Sequence, residues 1–224
     1  DECIDAGIKE IVLIISTKKQ MIKKYFYSDK FYQNIIKKKK DKRIIDEYKK
    51  ILKYKKKIKF VYQNIPKGTG DAVLKTQKFI KNKYFLMLLP DDLIIKKNCS
   101  KAMVRAHRKY KASVMASMKV NKKTVSRWGI YKLNKKLNKT DYVIDGVVEK
   151  PSLKNAPSNN AVIGRYILPR TIFKKLKFLK PSKGNEIHIT DAIQELIKNK
   201  EKFVAHNFKG KYLDCGTMNG YINS

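Results

Sequence analysis

The sequence predicts an α/β fold: a parallel sheet with helices on both faces, carrying a mixed or antiparallel half, in one domain over residues 1–224. Three observations predict it. Strand-like runs at Ile11–Ile15, Lys59–Gln63 and Tyr84–Leu89 alternate with segments of helical period, the rhythm of strand and crossover helix. After Trp128 the pattern changes to shorter strands, expected at Gly129–Leu133, Tyr142–Val148 and Ala161–Leu168. Hydrophobic residues make up 42% of the 224, enough for a large buried core.

Taken in order, Asp1–Gly7 reads as the last turns of a helix that Gly7 stops. Ile11–Ile15 is an uninterrupted apolar run, expected of a strand buried on both faces. Thr17 can cap a helix whose Met21, Ile22, Tyr25 and Phe26 form one stripe. Ser28 to Tyr54 is lysine-rich with a helical period, and Lys37–Lys40 reads as a solvated charge run. The strand at Lys59–Gln63 runs into Pro66-Lys67-Gly68-Thr69-Gly70, and a helix follows with Ala72, Val73, Leu74, Thr76 and Phe79 on it. Tyr84–Leu89 is stopped by Pro90-Asp91-Asp92. A helix at Ser100–Tyr110, a strand at Ala112–Val120 and helices around Ile172–Leu176 and Thr190–Lys198 complete the reading. His188 falls at a helix start and Cys215 in a turn.

Composition narrows the function. With 53 basic and 19 acidic residues the net charge is +34, which invites a nucleic-acid reading. Yet Arg is scarce (Arg43, Arg105, Arg108, Arg127, Arg165 and Arg170), and Arg supplies most bidentate contacts to phosphate and guanine. Lysines coat nearly every predicted helix, as a compositional bias would have it, so no specific nucleic-acid partner is expected. No apolar stretch reaches the roughly 18 residues of a membrane span. Asp1-Glu2 and Asp5 stand where a basic, then apolar, leader would be, so no signal peptide is read. Cys3, Cys99 and Cys215 lack any Cys-x-x-Cys spacing, which fits a reducing cytoplasm. His107, His188 and His206 have no metal-ligand spacing, and no Gly-x-Ser-x-Gly or Cys/His pairing points to a covalent hydrolase.

Ligands of open α/β sheets gather beyond the carboxyl ends of strands, and three loops there carry chemistry. In Gln63–Gly70 two glycines let backbone approach a ligand, and the Gln63 amide can read a base edge; an ordinary strand-to-helix turn is the simpler alternative. In Leu89-Pro90-Asp91-Asp92 a carboxylate can hold Mg²⁺, which takes one or two carboxylates with phosphates and water. Helix capping is the competing role, evenly balanced for Asp91 and favoured for Asp92. In Gly146–Pro151, Pro151 is expected to keep Lys150 extended. Strict alternation would then send Glu149 and Lys150 to opposite faces, so both reach one ligand only if the strand twists or breaks. By spacing alone an exposed Glu–Lys rim is the simpler reading.

These segments together resemble the bacterial UTP–glucose-1-phosphate uridylyltransferases of the sugar nucleotidyltransferase family. The resemblance runs from Glu2–Leu13 to Lys209–Gly216. It is most specific at Val147-Val148-Glu149-Lys150-Pro151, Ala156-Pro157-Ser158-Asn159, Ile163-Gly164-Arg165-Tyr166 and Glu186–Ile193. The thymidylyltransferases share the Leu-Pro-Asp and Glu-Lys-Pro elements and are the alternative; a basic nucleic-acid-binding protein is the alternative from another class. The family's Gly-x-Gly-Thr-Arg loop and its C-terminal helical end are not in these 224 residues, so a fragment of the family's Rossmann-like, three-layer, glycosyltransferase-A-like fold is expected, its activity alone in doubt.

The resemblance implies attack of glucose 1-phosphate on UTP to give UDP-glucose and pyrophosphate. It implies Gln63 and Gly68 as the uracil readers, Asp91 as the main Mg²⁺ ligand with Asp214 as a second, and Lys150 on the sugar phosphate. Glu149 would meet the glucose hydroxyls, with Gly129 and Val162 offering backbone contacts. Trp128 stands where the family commonly has Tyr. A homo-oligomer is implied for the full-length protein.

Overall fold

The computed structural model describes residues 1–27, 30, 33, 34, 36, 38 and 41–222. Helix α1 (Glu2–Asp5) ends as expected: Gly7, at φ 87°, turns the chain so that the Ile8 N–H reaches Cys3 O. Strand β1 (Ile11–Ile15) follows. A short 3₁₀ turn (Thr17–Lys19) leads into α2 (Gln20–Tyr27), and α3 (Lys42–Lys55) begins where the Asp41 carboxylate accepts the Arg43 N–H at 2.8 Å. Thr17 is not a cap. Ser16 holds that position without a side-chain bond, and the Thr17 N–H is tied to Asn64 Oδ1 instead. Apart from Lys38, the Lys37–Lys40 run lies outside the described residues.

Strand β2 (Ile58–Tyr62) pairs with β1 in parallel, Ile11 opposite Ile58 through Ile15 opposite Tyr62. Of β1's five apolar residues Ile15 alone is fully buried, fewer than a two-faced strand predicts. The reason is that, among the described residues, β1 and β2 form a ribbon of their own. Helix α4 (Thr69–Leu74) is shorter than predicted and gives way to turns before Phe79.

The main sheet contains β3 (Tyr84–Leu88), β5 (Ser113–Lys119), β6 (Gly129–Lys136), β7 (Asp141–Glu149), β8 (Asn160–Pro169) and β9 (Phe203–Asn207), in the order β3-β8-β5-β9-β7-β6. It is mixed, but less parallel than the strand–helix rhythm suggested. Strand β8 inserts antiparallel between β3 and β5, and β5–β9 is this sheet's parallel pair among the described residues. Strands β6 to β8, expected to be short, run to 8, 9 and 10 residues, because each continues through polar positions that carry no apolar signal. A small ribbon of β4 (Asp92–Ile95) and β10 (Lys211–Asp214), antiparallel, completes the strands.

Helices cover both faces, as expected. On one face α4, α6 (Ile172–Phe178) and α7 (Ile189–Lys198) bury Val73, Phe173, Leu176, Ile193 and Leu196 against Met115, Tyr166, Leu168, Phe203 and Ala205. On the other, α5 (Cys99–Tyr110) buries Cys99, Met103 and Ala106 against Val114, Ala116, Ile163, Ile167 and Val204. Successive residues of β5 and β9 thus serve opposite cores, the period-two alternation of a covered strand. Each fully buried Leu, Ile or Phe stabilises by roughly 1.5–3 kcal/mol. Helix α8 (Met218–Ile222) closes the described chain, and Cys3, Cys99 and Cys215 are free thiols.

Candidate active site

The first loop is braced from two sides. Gly68 has φ 94°, and a Cβ there would stand 2.5 Å from Ile187 O, so only glycine fits. The Gly70 N–H donates to that same carbonyl at 2.7 Å, the Ile187 N–H donates to Lys67 O, and the Ile189 N–H to the Thr69 hydroxyl. The Glu186–Ile189 stretch is therefore the seat of the glycine loop. Gln63 spans the loop: its Nε2 donates to Gly68 O at 3.2 Å and to Asp71 Oδ2 at 2.7 Å. A carboxylate only accepts, so Asp71 fixes which way the amide faces and leaves Gln63 Oε1 as the end able to accept from a ligand.

The second loop delivers Asp91. Asp92 is not a helix cap; it opens β4, since the chain turns at Pro90-Asp91 into the β4–β10 ribbon. Its carboxylate accepts the Tyr212 hydroxyl at 2.5 Å and the Gly164 N–H at 2.7 Å. Register places Asp214 opposite Asp92, and the Cys215 N–H donates to Asp91 O at 2.8 Å. A Cβ at Gly216 would meet both Asp91 Oδ2, at 2.8 Å, and Asp214 Oδ1, at 3.4 Å. The two carboxylates therefore converge on one point. The described residues hold no group of three or more His, Cys, Asp or Glu suited to a metal; a pair of carboxylates is what Mg²⁺ asks of a protein when phosphates supply the rest. Arg127 Nη2 lies 3.7 Å from Asp214 Oδ2.

The third group forms where β6 begins and β7 ends. Gly129 is opposite Glu149 in register, and a Cβ on Gly129 would lie 3.1 Å from Glu149 Oε2 and 3.3 Å from Val162 Cγ2. The expectation for Lys150 is corrected. It is not extended but left-handed, at φ 46°, with its N–H held by Trp128 O at 3.0 Å. Pro151 disfavours the right-handed helical region for its predecessor, and with the last ladder bond kept the chain leaves the strand through the left-handed one. The strand breaks there, so strict alternation no longer separates Glu149 from Lys150.

The second and third groups adjoin. The Trp128 and Tyr212 rings meet edge-on at 5.7 Å, and Arg127 precedes Trp128. Tyr166 is fully enclosed; burial pushes its hydroxyl's pKa upward, and the charges of Asp92, Glu149 and Asp91 add to the shift. Burial raises Tyr212 as well, aided by its bond to Asp92 and by Asp214 and Asp91. Helix α7 ties the first group to the third: its N-terminus seats the glycine loop, while its Gln194 Oε1 accepts the Val147 N–H at 3.2 Å.

All 224 residues match the family model described as nucleotidyl transferase. The chain belongs to the nucleotidyl transferase family. Among nucleotidyl transferases it is 35% identical to a UTP–glucose-1-phosphate uridylyltransferase of Streptococcus pyogenes, over 100% of this chain and 74% of the relative. It superposes on a UDP-glucose pyrophosphorylase complexed with UDP-glucose with a TM-score of 0.86 at 35% identity, covering 99% of this chain and 81% of that one. A UTP-bound UGPase from Acinetobacter baumannii matches at 0.85 and 30% identity, covering 99% and 77%. These likenesses carry the three-layer nucleotidyl transferase fold with its mixed sheet. Three supporting residues, Arg127, Gln194 and Tyr212, had no role assigned from the sequence, and Asp92, expected as a helix cap, serves instead as a strut. Gly164 lay inside a noted motif, and its glycine was the one available signal.

Proposed function

We propose that this nucleotidyl transferase moves a uridylyl group from UTP to glucose 1-phosphate, giving UDP-glucose and pyrophosphate. The observation that carries the reading is the convergence of Asp91 and Asp214 beside the Gly129–Glu149–Val162 corner, in a chain 35% identical to a uridylyltransferase. The nucleophile is a sugar-phosphate oxygen, ionised near neutrality since its second pKa is about 6, so no side-chain base is required. Charge neutralisation and in-line positioning carry the catalysis. Gln63 Oε1 accepts from the N–H that uracil carries at N3, while the Gly68 backbone approaches the same base. Glu149 takes glucose hydroxyls, Gly129 and Val162 offer backbone groups, and the Lys150 ammonium holds the attacking phosphate. Asp91, with Asp214, holds Mg²⁺. The cation would neutralise charge on the transferring phosphate.

The test is pyrophosphate release by the complete gene product with UTP, dTTP or CTP and glucose 1-phosphate. UTP is expected to lead. CTP, which presents an acceptor at N3 where Gln63 also accepts, is expected to be poor. A dTTP preference would reassign the chain to thymidylyl transfer, and no binding of UTP or UDP-glucose would end the proposal. The same reading makes the full-length protein a cytoplasmic homo-oligomer, to be tested by light scattering and cell fractionation; no helix among the described residues is long and apolar enough to cross a membrane.

A further inference from the structure

Lysines are spread over much of this chain, and one group of them lines an open groove. A groove of about 660 Å³ is lined by Leu74, Lys75, Gln77, Lys78, Lys81 and Arg170. Four of these six are cations and none is acidic. One of the chain's few arginines is among them, and it is pre-set. The Arg170 N–H donates to Lys83 O at 2.8 Å and its Nε to Ile80 O at 2.9 Å. That leaves the two Nη groups, which have no further partner among the described residues, as a planar fork suited to phosphate oxygens. Lys75 is half-committed, 3.7 Å from Asp71.

We propose that this groove is a second anion site, which takes a small, soluble, multiply phosphorylated metabolite and lowers the affinity of the nucleotide site when filled. Concave walls with one sign of charge focus the field and favour a compact polyanion over scattered monovalent ions. The route to the nucleotide site is a chain of contacts: Lys75 pairs with Asp71, and Asp71 Oδ2 accepts from Gln63 Nε2. A polyanion that engages Lys75 leaves Asp71 uncompensated beside the base loop and adds negative charge close to where UTP must bind. This second part rests on the assignment of Gln63 to the base.

The probe is inositol hexakisphosphate, which has many phosphates, no base and no reactive anhydride. Calorimetry on the complete gene product at moderate salt is expected to show one saturable site. The Lys78→Glu/Arg170→Glu variant should bind at least tenfold more weakly. The control Lys49→Glu/Lys50→Glu, on an exposed part of α3, should bind within twofold of the parent. Equal losses in both variants would mean general lysine stickiness and overturn the site. Tighter groove-dependent binding of a single-stranded oligonucleotide, or of phosphoinositide vesicles, than of the free probe would overturn its assignment to a small soluble ligand. For the coupling, UTP affinity should fall several-fold at saturating probe in the parent and stay unchanged in the groove variant; an unchanged affinity in both overturns the effector role. Should the complete gene product bind no UTP at all, the uridylyltransferase reading fails while probe binding still decides the groove.

Discussion

The Asp92 carboxylate accepts the Gly164 N–H at 2.7 Å, joining residues 72 positions apart. Strand β8 bulges at this point, where its register with β5 jumps between Tyr166 and Ile163, and the amide of the buried Gly164 becomes the fixture on which the β4–β10 ribbon hangs. The Tyr212 hydroxyl occupies the other carboxylate oxygen of Asp92. Both candidate metal ligands, Asp91 and Asp214, sit at the end of that ribbon. Their geometry thus depends on a neighbour that is itself no ligand.

Gly164→Ala should therefore be costly. Its Cβ would lie 2.4 Å from Asp92 Oδ2 and 2.6 Å from Leu89 Cβ. Overpacking of this kind costs about 1–3 kcal/mol. Urea unfolding should show that loss, and Mn²⁺ binding at the ribbon's end should weaken with it; an unchanged midpoint would show that the ribbon has no such dependence.

Glu2 and Arg165 make a second long-range tie. Arg165, only 3% exposed at its side chain, donates Nε and Nη2 to the Glu2 carboxylate and Nη1 to Leu89 O. Burial opposes ionisation of Glu2, but hydrogen bonds from Arg165 and Ser100 and the Arg165 charge outweigh it, so its pKa lies below the ordinary 4.5. A lowered folded value means the stabilisation is complete above about pH 4.5 and fades as pH falls through the folded value. Glu2→Gln leaves Arg165 without its counter-charge and should cost about 3 kcal/mol at pH 7. The difference between the two proteins in urea midpoint should shrink from pH 5 to pH 3, whereas a pH-independent gap would exclude the ion pair as its source.

On the proposed assignment of Asp214 to a metal, Arg127 should compete with the ion for it. The pair is 3.7 Å apart and the Arg127 side chain is 63% exposed, so its grip amounts to roughly 0.2–1 kcal/mol. Removing it in Arg127→Ala should tighten Mn²⁺ binding about two- to fivefold by electron paramagnetic resonance titration, and Asp214→Asn should weaken it. Weaker binding in Arg127→Ala would show that the guanidinium supports the ion instead of displacing it.

Lys150→Ala, in the complete gene product, should cost about 2–4 kcal/mol of transition-state stabilisation, read as a fall in kcat/KM. Pro151 and Ser152 follow it, so the next lysine downstream is Lys154. Lys122→Ala and Lys123→Ala, drawn from the abundant lysines, should change little beyond salt dependence. Near-normal turnover in Lys150→Ala with loss in those controls would misplace the sugar-phosphate site.

Much of this was legible along the chain. The apolar runs marked β1, β2, β3 and β5 to within a residue or two, since burial leaves a local signature in composition. Strands β4, β9 and β10 were not read: they are four or five residues long, and β4 and β10 hold together through each other and through Asp92. The expected extension at Lys150 came from a local rule that pushes the residue before proline toward extended backbone, and that rule takes no account of the Lys150 N–H bond to Trp128 O, whose partner lies 22 positions away.

What the sequence by itself determined is the α/β class, the helices on both faces and the loops that carry the candidate site residues, because periodicity and loop composition are local properties. What only the tertiary structure decided is how those residues meet. Strand β8 inserts antiparallel between β3 and β5, Asp91 and Asp214 come together at the end of one ribbon, and Asp71 turns the Gln63 amide. Each of these depends on hydrogen bonds that close between segments far apart in the chain, and no window of residues carries the free energy of a contact whose other half lies outside it.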